Sequence, residues 1–80
     1  MTHYNLIGQN VVKFRGHFKW SQQDLATQLQ LDGLSISRES IANIEARRQS
    51  VSDTQIFHLA RVLKVSEAEF FHHPQLAKRQ

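Results

Sequence analysis

The chain has 80 residues, no cysteine and a net charge of +3, from ten Lys and Arg against seven Asp and Glu. This length allows one small domain, and the lack of cysteine excludes a disulfide framework and a thiolate zinc site. No apolar run approaches the roughly 20 residues that span a bilayer, and no secretory signal pattern begins the chain, so we expect a soluble cytoplasmic protein.

Three helices are predicted in the first half of the chain. The first covers about residues 5–15, with Gly16 placed to end it. The second begins at Ser21, which has Asp24 at capping-box spacing, and the third begins with Ser37 as its N-cap. The apolar residues at helical spacing in these segments are Leu6, Ile7, Val11, Phe14, Leu25, Ala26, Leu29, Ile41 and Ile44.

Two further helices are predicted in the second half. The fourth begins at Ser52, with Gln55 three residues later, and the fifth is short, with Ser66 and Glu69 as its capping pair. Pro74 is expected to stop the fifth helix. The inward residues of the fourth helix are Ile56, Leu59, Ala60 and Leu63.

The predicted architecture is all-α, a compact five-helix bundle in one domain, residues 5–73, followed by a short C-terminal tail, residues 74–80. No segment shows the alternating apolar pattern and turn residues of a β-hairpin. No predicted helix exceeds about twelve residues, so the helices must be stabilised by packing against one another. The bulky residues expected to fill the core are Phe14, Trp20 and Phe70 or Phe71.

The predicted third helix has two sides of different character. Ile41 and Ile44 lie on one side, and two arginines, Arg47 and Arg48, follow the helix. The opposite arc of about 140° is formed by Arg38, Glu39, Ala42 and Asn43. Polar residues on a helix are ordinarily a solvated face, and a surface that contacts a partner is the alternative.

Three stretches of sequence carry a family resemblance. They are WSQQDLATQL (20–29), SRESIANIEARR (37–48) and LARVLKVS (59–66). Together they resemble the XRE/Cro-type helix-turn-helix family of phage and bacterial transcriptional repressors. That family typically has Ser-Gln-x-x-Leu-Ala in helix 2, Ser-x-x-x-Ile-x-x-Ile-Glu in helix 3 and Leu-Ala-x-x-Leu-x-Val-Ser at the end of helix 4. The resemblance covers residues 6–71 and implies a lambda-repressor-like DNA-binding domain.

The resemblance implies that the third helix enters the major groove of double-stranded DNA. Arg38 then suits guanine O6 and N7, and Asn43 suits adenine or a phosphate. Glu39 suits cytosine N4, whereas Ala42 leaves room for the backbone and offers a methyl group to thymine. A solvated face remains the alternative for all four residues.

The resemblance also implies contacts with DNA phosphates. They are expected from Lys19, Gln22, Ser37, Ser40, Arg47 and Arg48. Gln22 would lie at a helix N-terminus, where free N–H groups and the helix dipole favour an anion. Alternatives remain for several of these residues: an ordinary surface position for Gln22, a capping role for Ser37, and a solvated basic loop for Arg47 and Arg48.

Arg15 and Glu45 match the positions at which this family pairs an arginine late in helix 1 with the glutamate that ends helix 3. We therefore expect a partly buried ion pair with a structural role. Removing one partner of a buried pair costs about 3–5 kcal/mol, whereas an exposed pair contributes less than about 1 kcal/mol.

The turn between the second and third helices departs from the family pattern. The family usually has a tight glycine turn of about four residues, whereas QLDGLSIS (30–37) occupies that place here. Gly33 can adopt a left-handed conformation, and Leu34 and Ile36 are expected to hold the longer turn against the core. We expect the longer turn to affect the angle between the second and third helices.

One reading helix makes few base contacts, so we expect a homodimer on two half-sites about 34 Å apart. Repression by operator occupancy would follow, and a phage repressor, a restriction–modification controller or an antitoxin would fit the same residues. The alternative is a protein-interaction module of the same fold, such as an antitoxin or a partner-binding regulator. Its expected contact residues are Phe70, Phe71 and Leu76.

The sequence gives no reason to expect a metal, a cofactor or a catalytic site. The five histidines do not occur at the spacings of a zinc site, and no nucleophile motif or phosphate-binding loop is present. The histidines are His3, His17, His58, His72 and His73. We therefore expect a protein that is not an enzyme.

Overall fold

The computed structural model describes residues 3–72, with side chains from residue 6 onward. The elements in chain order are α1 His3–His17, α2 Gln22–Leu31, α3 Arg38–Glu45, α4 Asp53–Leu63 and a 3-10 helix Glu67–Phe71. No β-strand occurs within residues 3–72, which confirms the all-α prediction. The fifth predicted helix is a 3-10 helix, so the described residues contain four α-helices. None of these helices is long and apolar enough to cross a membrane.

Serine residues begin the helices as the sequence predicts. Ser21 accepts from the backbone N–H of Asp24 at 3.0 Å, and its own N–H donates to the Asp24 carboxylate at 2.9 Å. Ser52 and Gln55 make the same reciprocal pair before α4, at 3.1 and 3.0 Å. Ser37 caps α3 in extended backbone conformation. These caps satisfy N–H groups that have no partner inside the helix.

All four described α-helices end with a left-handed residue: Lys19, Gly33, Arg47 and Lys64, with φ of 58°, 99°, 64° and 60°. In each case the next residue donates its N–H to the carbonyl five residues earlier, at 2.8–3.3 Å. This arrangement is the Schellman ending of a helix, which satisfies otherwise unpaired carbonyl groups. The prediction that Gly16 ends α1 is wrong, because Gly16 stays helical and the left-handed position falls at Lys19.

Every helix contributes apolar side chains to a single core. Phe14 of α1 meets Phe70 of the 3-10 helix edge to face, with ring centroids 5.5 Å apart. Trp20 is partly buried and stacks on Phe18 with centroids 4.4 Å apart. Phe71 is 39% exposed, so Phe70 is the core residue of that pair. The remaining buried apolar residues are Ile7, Val11, Leu25, Ala26, Leu29, Ile36, Ile41, Ile44, Ile56, Leu59, Ala60 and Leu63.

A buried asparagine joins α1 to the 3-10 helix. Asn10 is 1% exposed, and its Nδ2 donates to the carbonyl oxygens of Phe70 at 2.9 Å and His72 at 2.7 Å. At the other end of this short element, the Glu69 carboxylate accepts from the N–H of Ser66 at 3.1 Å. These contacts hold both ends of the five-residue element, and a helix this short is commonly of the 3-10 type.

The long turn between α2 and α3, residues 32–37, is fixed at several points. Ile36 is buried, Leu34 packs against the core, and Gly33 is left-handed, as predicted. The side-chain amide of Gln30 donates to the Ile36 carbonyl at 2.7 Å. The turn therefore has a defined path that leads directly into α3.

The first residue of this turn, Asp32, is bound by two side chains of α4. Its carboxylate lies 2.8 Å from Nδ1 of His58, and it accepts from Arg61 Nη2 and Nε at 3.1 and 3.2 Å. The hydrogen bond with His58, and next those with Arg61, lower the pKa of the Asp32 carboxyl below its ordinary value. These contacts connect the end of α2 to α4.

Candidate nucleic-acid interface

The exposed side of α3 is the first part of the candidate site. Arg38 and Glu39 lie in the first turn and are exposed, with the guanidinium and carboxylate 4.0 Å apart. Ala42 and Asn43 follow one turn later and are half-buried. The structure therefore brings together the four residues for which base contacts are predicted. Their contact with DNA stays a prediction.

The other end of α3 is held by a buried carboxylate. Glu45 has a side chain only 6% exposed, and it accepts from Arg15 Nε at 2.8 Å and Nη2 at 2.9 Å. Arg15 Nη1 also donates to the Trp20 carbonyl at 2.8 Å. The hydrogen bonds to Glu45 raise the pKa of the Arg15 guanidinium above its ordinary value, although burial acts in the opposite direction. Arg15 and Glu45 thus form the expected ion pair, which is joined by two hydrogen bonds.

The same carboxylate also orients the start of α2. The side-chain amide of Gln22 donates to Glu45 Oε1 at 2.9 Å. Gln22 is the first residue of α2 and is half-buried, so part of its hydrogen-bonding capacity is used inside the protein. An amide has two N–H groups and a carbonyl oxygen, so further contacts to a phosphate are compatible with this arrangement.

A close approach of two backbones sets the depth at which α3 lies against α1. A methyl group at Gly8 of α1 would collide with the carbonyl oxygen of Ile44, and it would meet Cγ of Arg47 at 3.3 Å. Only a residue without a side chain fits between the two helices at this point. Glycine at this position in a helix is otherwise unfavourable, so the contact explains its presence.

The basic residues next to α3 lie on the surface. Arg47 and Arg48 are exposed, and Arg48 Nε donates to Oδ1 of Asn43 at 3.3 Å. Lys19 is exposed in the turn between α1 and α2, next to the Trp20 carbonyl that Arg15 binds. The cations predicted to contact phosphates therefore lie in the turn after α1 and directly after α3.

The two serines at the start of α3 bond to each other. Ser37 Oγ accepts from the N–H of Ser40 at 3.1 Å, and the two hydroxyl oxygens lie 3.3 Å apart. Ser37 is therefore occupied as a cap, which was the alternative to its phosphate contact. A hydroxyl that caps a helix retains a further donor or acceptor.

The expected protein-binding role of Phe70 is wrong, because its side chain is fully buried against Phe14. Phe71 remains partly exposed, and Leu76 lies outside the described residues. The tail, residues 74–80, also lies outside them. Burial of Phe70 thus leaves Phe71 as the exposed aromatic residue of the pair that was expected to contact a protein partner.

Sequence reasoning missed two structural features of this site and one of the fold around it. They are the glycine contact at Gly8, the bond from Gln22 to Glu45 and the buried amide of Asn10. Gly8 stands inside a predicted helix without being needed at its end, and Asn10 lies among apolar residues of the same helix. These are the two signals that point to close packing and to a buried polar contact. No signal indicates the bond from Gln22.

Comparison with known proteins gives one family and two similar structures. A family model described as Helix-turn-helix matches residues 12–70. A crystal structure of a hypothetical transcription factor, NHTF, from Neisseria has a TM-score of 0.83 and 23% identity, with 98% of this chain and 84% of that chain covered. None of the curated proteins that were compared matches the chain.

The second similar structure is the restriction-modification controller protein C.AhdI from Aeromonas hydrophila. It has a TM-score of 0.73 and 27% identity, with 89% of this chain and all of that chain covered, at 100%. The family match runs from the second half of α1 into the 3-10 helix and covers more than half of the chain. The chain therefore belongs to the XRE-type helix-turn-helix family of DNA-binding regulators.

Proposed function

We propose that the protein is a sequence-specific DNA-binding transcriptional regulator whose α3 lies in the major groove. The observation that carries this proposal is an eight-residue helix with one side buried, the opposite side open, and its end fixed by Glu45. Family membership and the similarity to a controller protein support it. A helix held in this way can present side chains to base edges.

Four side chains of α3 are proposed to read bases. Arg38 donates to guanine O6 and N7, and Asn43 contacts the base nearest the end of the helix. Glu39 accepts from cytosine N4, and because it carries a negative charge it disfavours sites that lack such a donor. Ala42 allows close approach and contacts a thymine methyl group.

Phosphate contacts are proposed on both sides of α3. They fix the orientation of the protein on the duplex and do not carry sequence information. The proposed residues are Lys19, Gln22, Ser37, Ser40, Arg47 and Arg48. The four cations proposed to contact DNA, Lys19, Arg38, Arg47 and Arg48, are all exposed.

We propose that the protein acts as a homodimer and represses by occupying its operator. The domain measures 34 × 24 × 20 Å, so one copy covers about one half-site. Two half-sites one helical turn apart lie about 34 Å from centre to centre, which allows two copies to lie side by side. Occupancy of a promoter requires no catalysis by the bound protein.

The general test is the salt dependence of duplex binding. Neutralising Z phosphates releases counterions, so the logarithm of the binding constant falls with the logarithm of salt concentration with a slope of about −0.9Z. We expect a steep negative slope, measured by fluorescence anisotropy with a duplex selected from a random library. Absence of salt-dependent binding to any duplex in the library would favour the alternative, a protein-interaction module.

The division between base and phosphate contacts is tested with two arginines. Arg38→Ala is expected to relax base preference at one position by about 1–3 kcal/mol, because it removes donors to a base. Arg47→Ala is expected to weaken binding to all sequences about equally and to reduce the salt slope by about 1. Lys64→Ala is the matched control for Arg47→Ala. Lys64 is also a basic residue in left-handed backbone conformation, but it follows α4 and not α3. The opposite pattern for the two arginines would mean that their roles are exchanged.

A further inference from the structure

The end of α3 differs from the ends of the other three α-helices in one respect. The residue after the left-handed position is apolar and packs against the core at Trp20, Leu34 and Val65. After α3 this residue is Arg48, which is exposed. Such helix endings frequently pair this residue with the one five positions earlier through an apolar contact. A polar contact with Asn43 replaces it here.

The contact between Arg48 and Asn43 has a defined direction. The backbone N–H of Arg48 donates to the Asn43 carbonyl at 2.8 Å, and Arg48 Nε donates to Oδ1 at 3.3 Å. Arginine has donors and no acceptor, so the amide atom that faces Nε is the oxygen. The amide nitrogen of Asn43, with its two N–H groups, takes no part in this contact, whereas the oxygen keeps one further lone pair beside the guanidinium charge.

We propose that Arg48 positions Asn43 to read a base by donation, which favours guanine over adenine. This inference rests on the proposed function of α3 and specifies its chemistry at one base pair. Guanine presents two neighbouring acceptors in the major groove, N7 and O6, whereas adenine presents N7 beside the N6 donor. Asparagine pairs with adenine by accepting from N6. The Arg48 guanidinium, a cation bonded to one of the two lone pairs of that oxygen, disfavours the approach of this second donor.

Arg48 is thus a positioning residue in addition to its contact with phosphate. Its guanidinium has two terminal nitrogens besides Nε, and these can donate to a phosphate while Nε holds Asn43. A lysine in this position keeps the charge. Its single ammonium group cannot reproduce the planar fork, so it cannot make both contacts in the same geometry.

The test is the binding of the 80-residue chain to its selected duplex and to single-base variants of that duplex, by fluorescence anisotropy at one salt concentration. Asn43→Ala first identifies the base pair at which discrimination is lost. There we expect the wild type to prefer guanine over adenine by roughly tenfold, which corresponds to about 1.4 kcal/mol. Arg48→Lys is expected to reduce this preference to threefold or less, and because the preference is a ratio between two duplexes, a loss of affinity common to all sequences does not alter it.

Arg47→Lys is the control, because it makes the same chemical change at the neighbouring exposed residue and should leave the guanine preference unchanged. A preference for adenine in the wild type, a guanine preference that survives Arg48→Lys, or no discrimination lost in Asn43→Ala would each overturn the inference while duplex binding persists. Failure of the wild type to bind any duplex would instead overturn the proposed function.

Discussion

At the scale of single residues, Glu45 joins the elements around the candidate interface. It accepts from Arg15 and Gln22, and Arg15 also binds the Trp20 carbonyl, so α1, the following turn, α2 and α3 meet at one carboxylate. Because Glu45 is nearly buried, the ion pair is little screened by solvent. The pair between Arg38 and Glu39 is exposed and longer, so it should contribute little to stability.

The energetic role of Glu45 is testable by a double-mutant cycle with Arg15. We expect Glu45→Ala alone to lower the free energy of unfolding by about 3 kcal/mol, because it leaves a partly buried guanidinium without its partner. The coupling energy between Arg15→Ala and Glu45→Ala should be at least about 1 kcal/mol, measured by urea denaturation. A cycle on Arg38 and Glu39 serves as the control and should give less than about 0.5 kcal/mol. Equal coupling in the two cycles would contradict this assignment.

Sequence patterns predict individual residues well where the cause is local. The serine caps at Ser21, Ser37 and Ser52 follow from spacing within one helix turn. The bonds from Asn10 to Phe70 depend on packing between segments 60 residues apart. No rule of spacing places these two residues together, so the sequence does not predict that contact.

At the level of elements, α1 supports α3. The backbone of α1 touches that of α3 at Gly8, where a methyl group would collide with the Ile44 carbonyl. Gly16, near the other end of the same helix, has no atom within 4 Å of the place where a methyl group would lie. The two glycines of one helix therefore have different reasons to be tolerated.

Replacing these two glycines by alanine, one at a time, should have opposite effects on the free energy of unfolding. Gly8→Ala is expected to lower the free energy of unfolding by about 1–3 kcal/mol, because the added methyl group pushes two helices apart. Gly16→Ala is expected to raise it by about 0.5–1 kcal/mol, because alanine favours the helix and nothing obstructs it. Both values are measured by thermal and urea denaturation. Stabilisation by Gly8→Ala would show that the α1–α3 contact has room for a methyl group.

The two glycines also mark the limit of prediction at this scale. Gly16 has the position of a helix end, yet α1 continues through it to His17. The left-handed residue is Lys19, a residue type that does not identify such a position. Helix existence was predictable from apolar spacing, whereas this end depends on how the following residues, Phe18 and Trp20, pack.

For the whole molecule, the link from Asp32 to α4 connects stability to pH. Its carboxyl has a pKa below the ordinary value of 3.8, because it is bonded to His58 and Arg61. A group with a lower pKa in the folded state binds protons more weakly there than in the unfolded chain. The contribution to stability is therefore complete above about pH 4 and is lost as the pH falls through the folded-state pKa.

Asp32→Asn is expected to lower stability at neutral pH and to flatten the loss of stability in acid. Urea denaturation between pH 7 and pH 2 gives both quantities, since the slope of unfolding free energy with pH reports the difference in bound protons. Asp53→Asn, which removes an exposed carboxylate from the first turn of α4, is the control. An acid slope that is the same in Asp32→Asn and wild type would contradict the link.

The all-α fold, the extent of the core and the exposed side of α3 were predictable, because they follow from apolar periodicity and from three family motifs. The long turn at residues 32–37 was expected to affect the angle between α2 and α3. Ile36 and Asp32 fix that turn through contacts with the core and with α4. The assignment of Phe70 failed, since adjacent phenylalanines give no indication of which ring faces inward.

The attachment of α3 at both ends has a consequence for the thermodynamics of association. Eight residues do not persist as a helix alone in water, but Ile36 before α3 and Glu45 at its end keep it ordered in the free domain. Ordering the backbone of α3 costs about 1–2 kcal/mol per residue in conformational entropy, and this cost falls on folding and not on binding. Binding of a partner to α3 should then resemble the docking of two rigid bodies. The heat-capacity change of binding should therefore reflect the contact area alone.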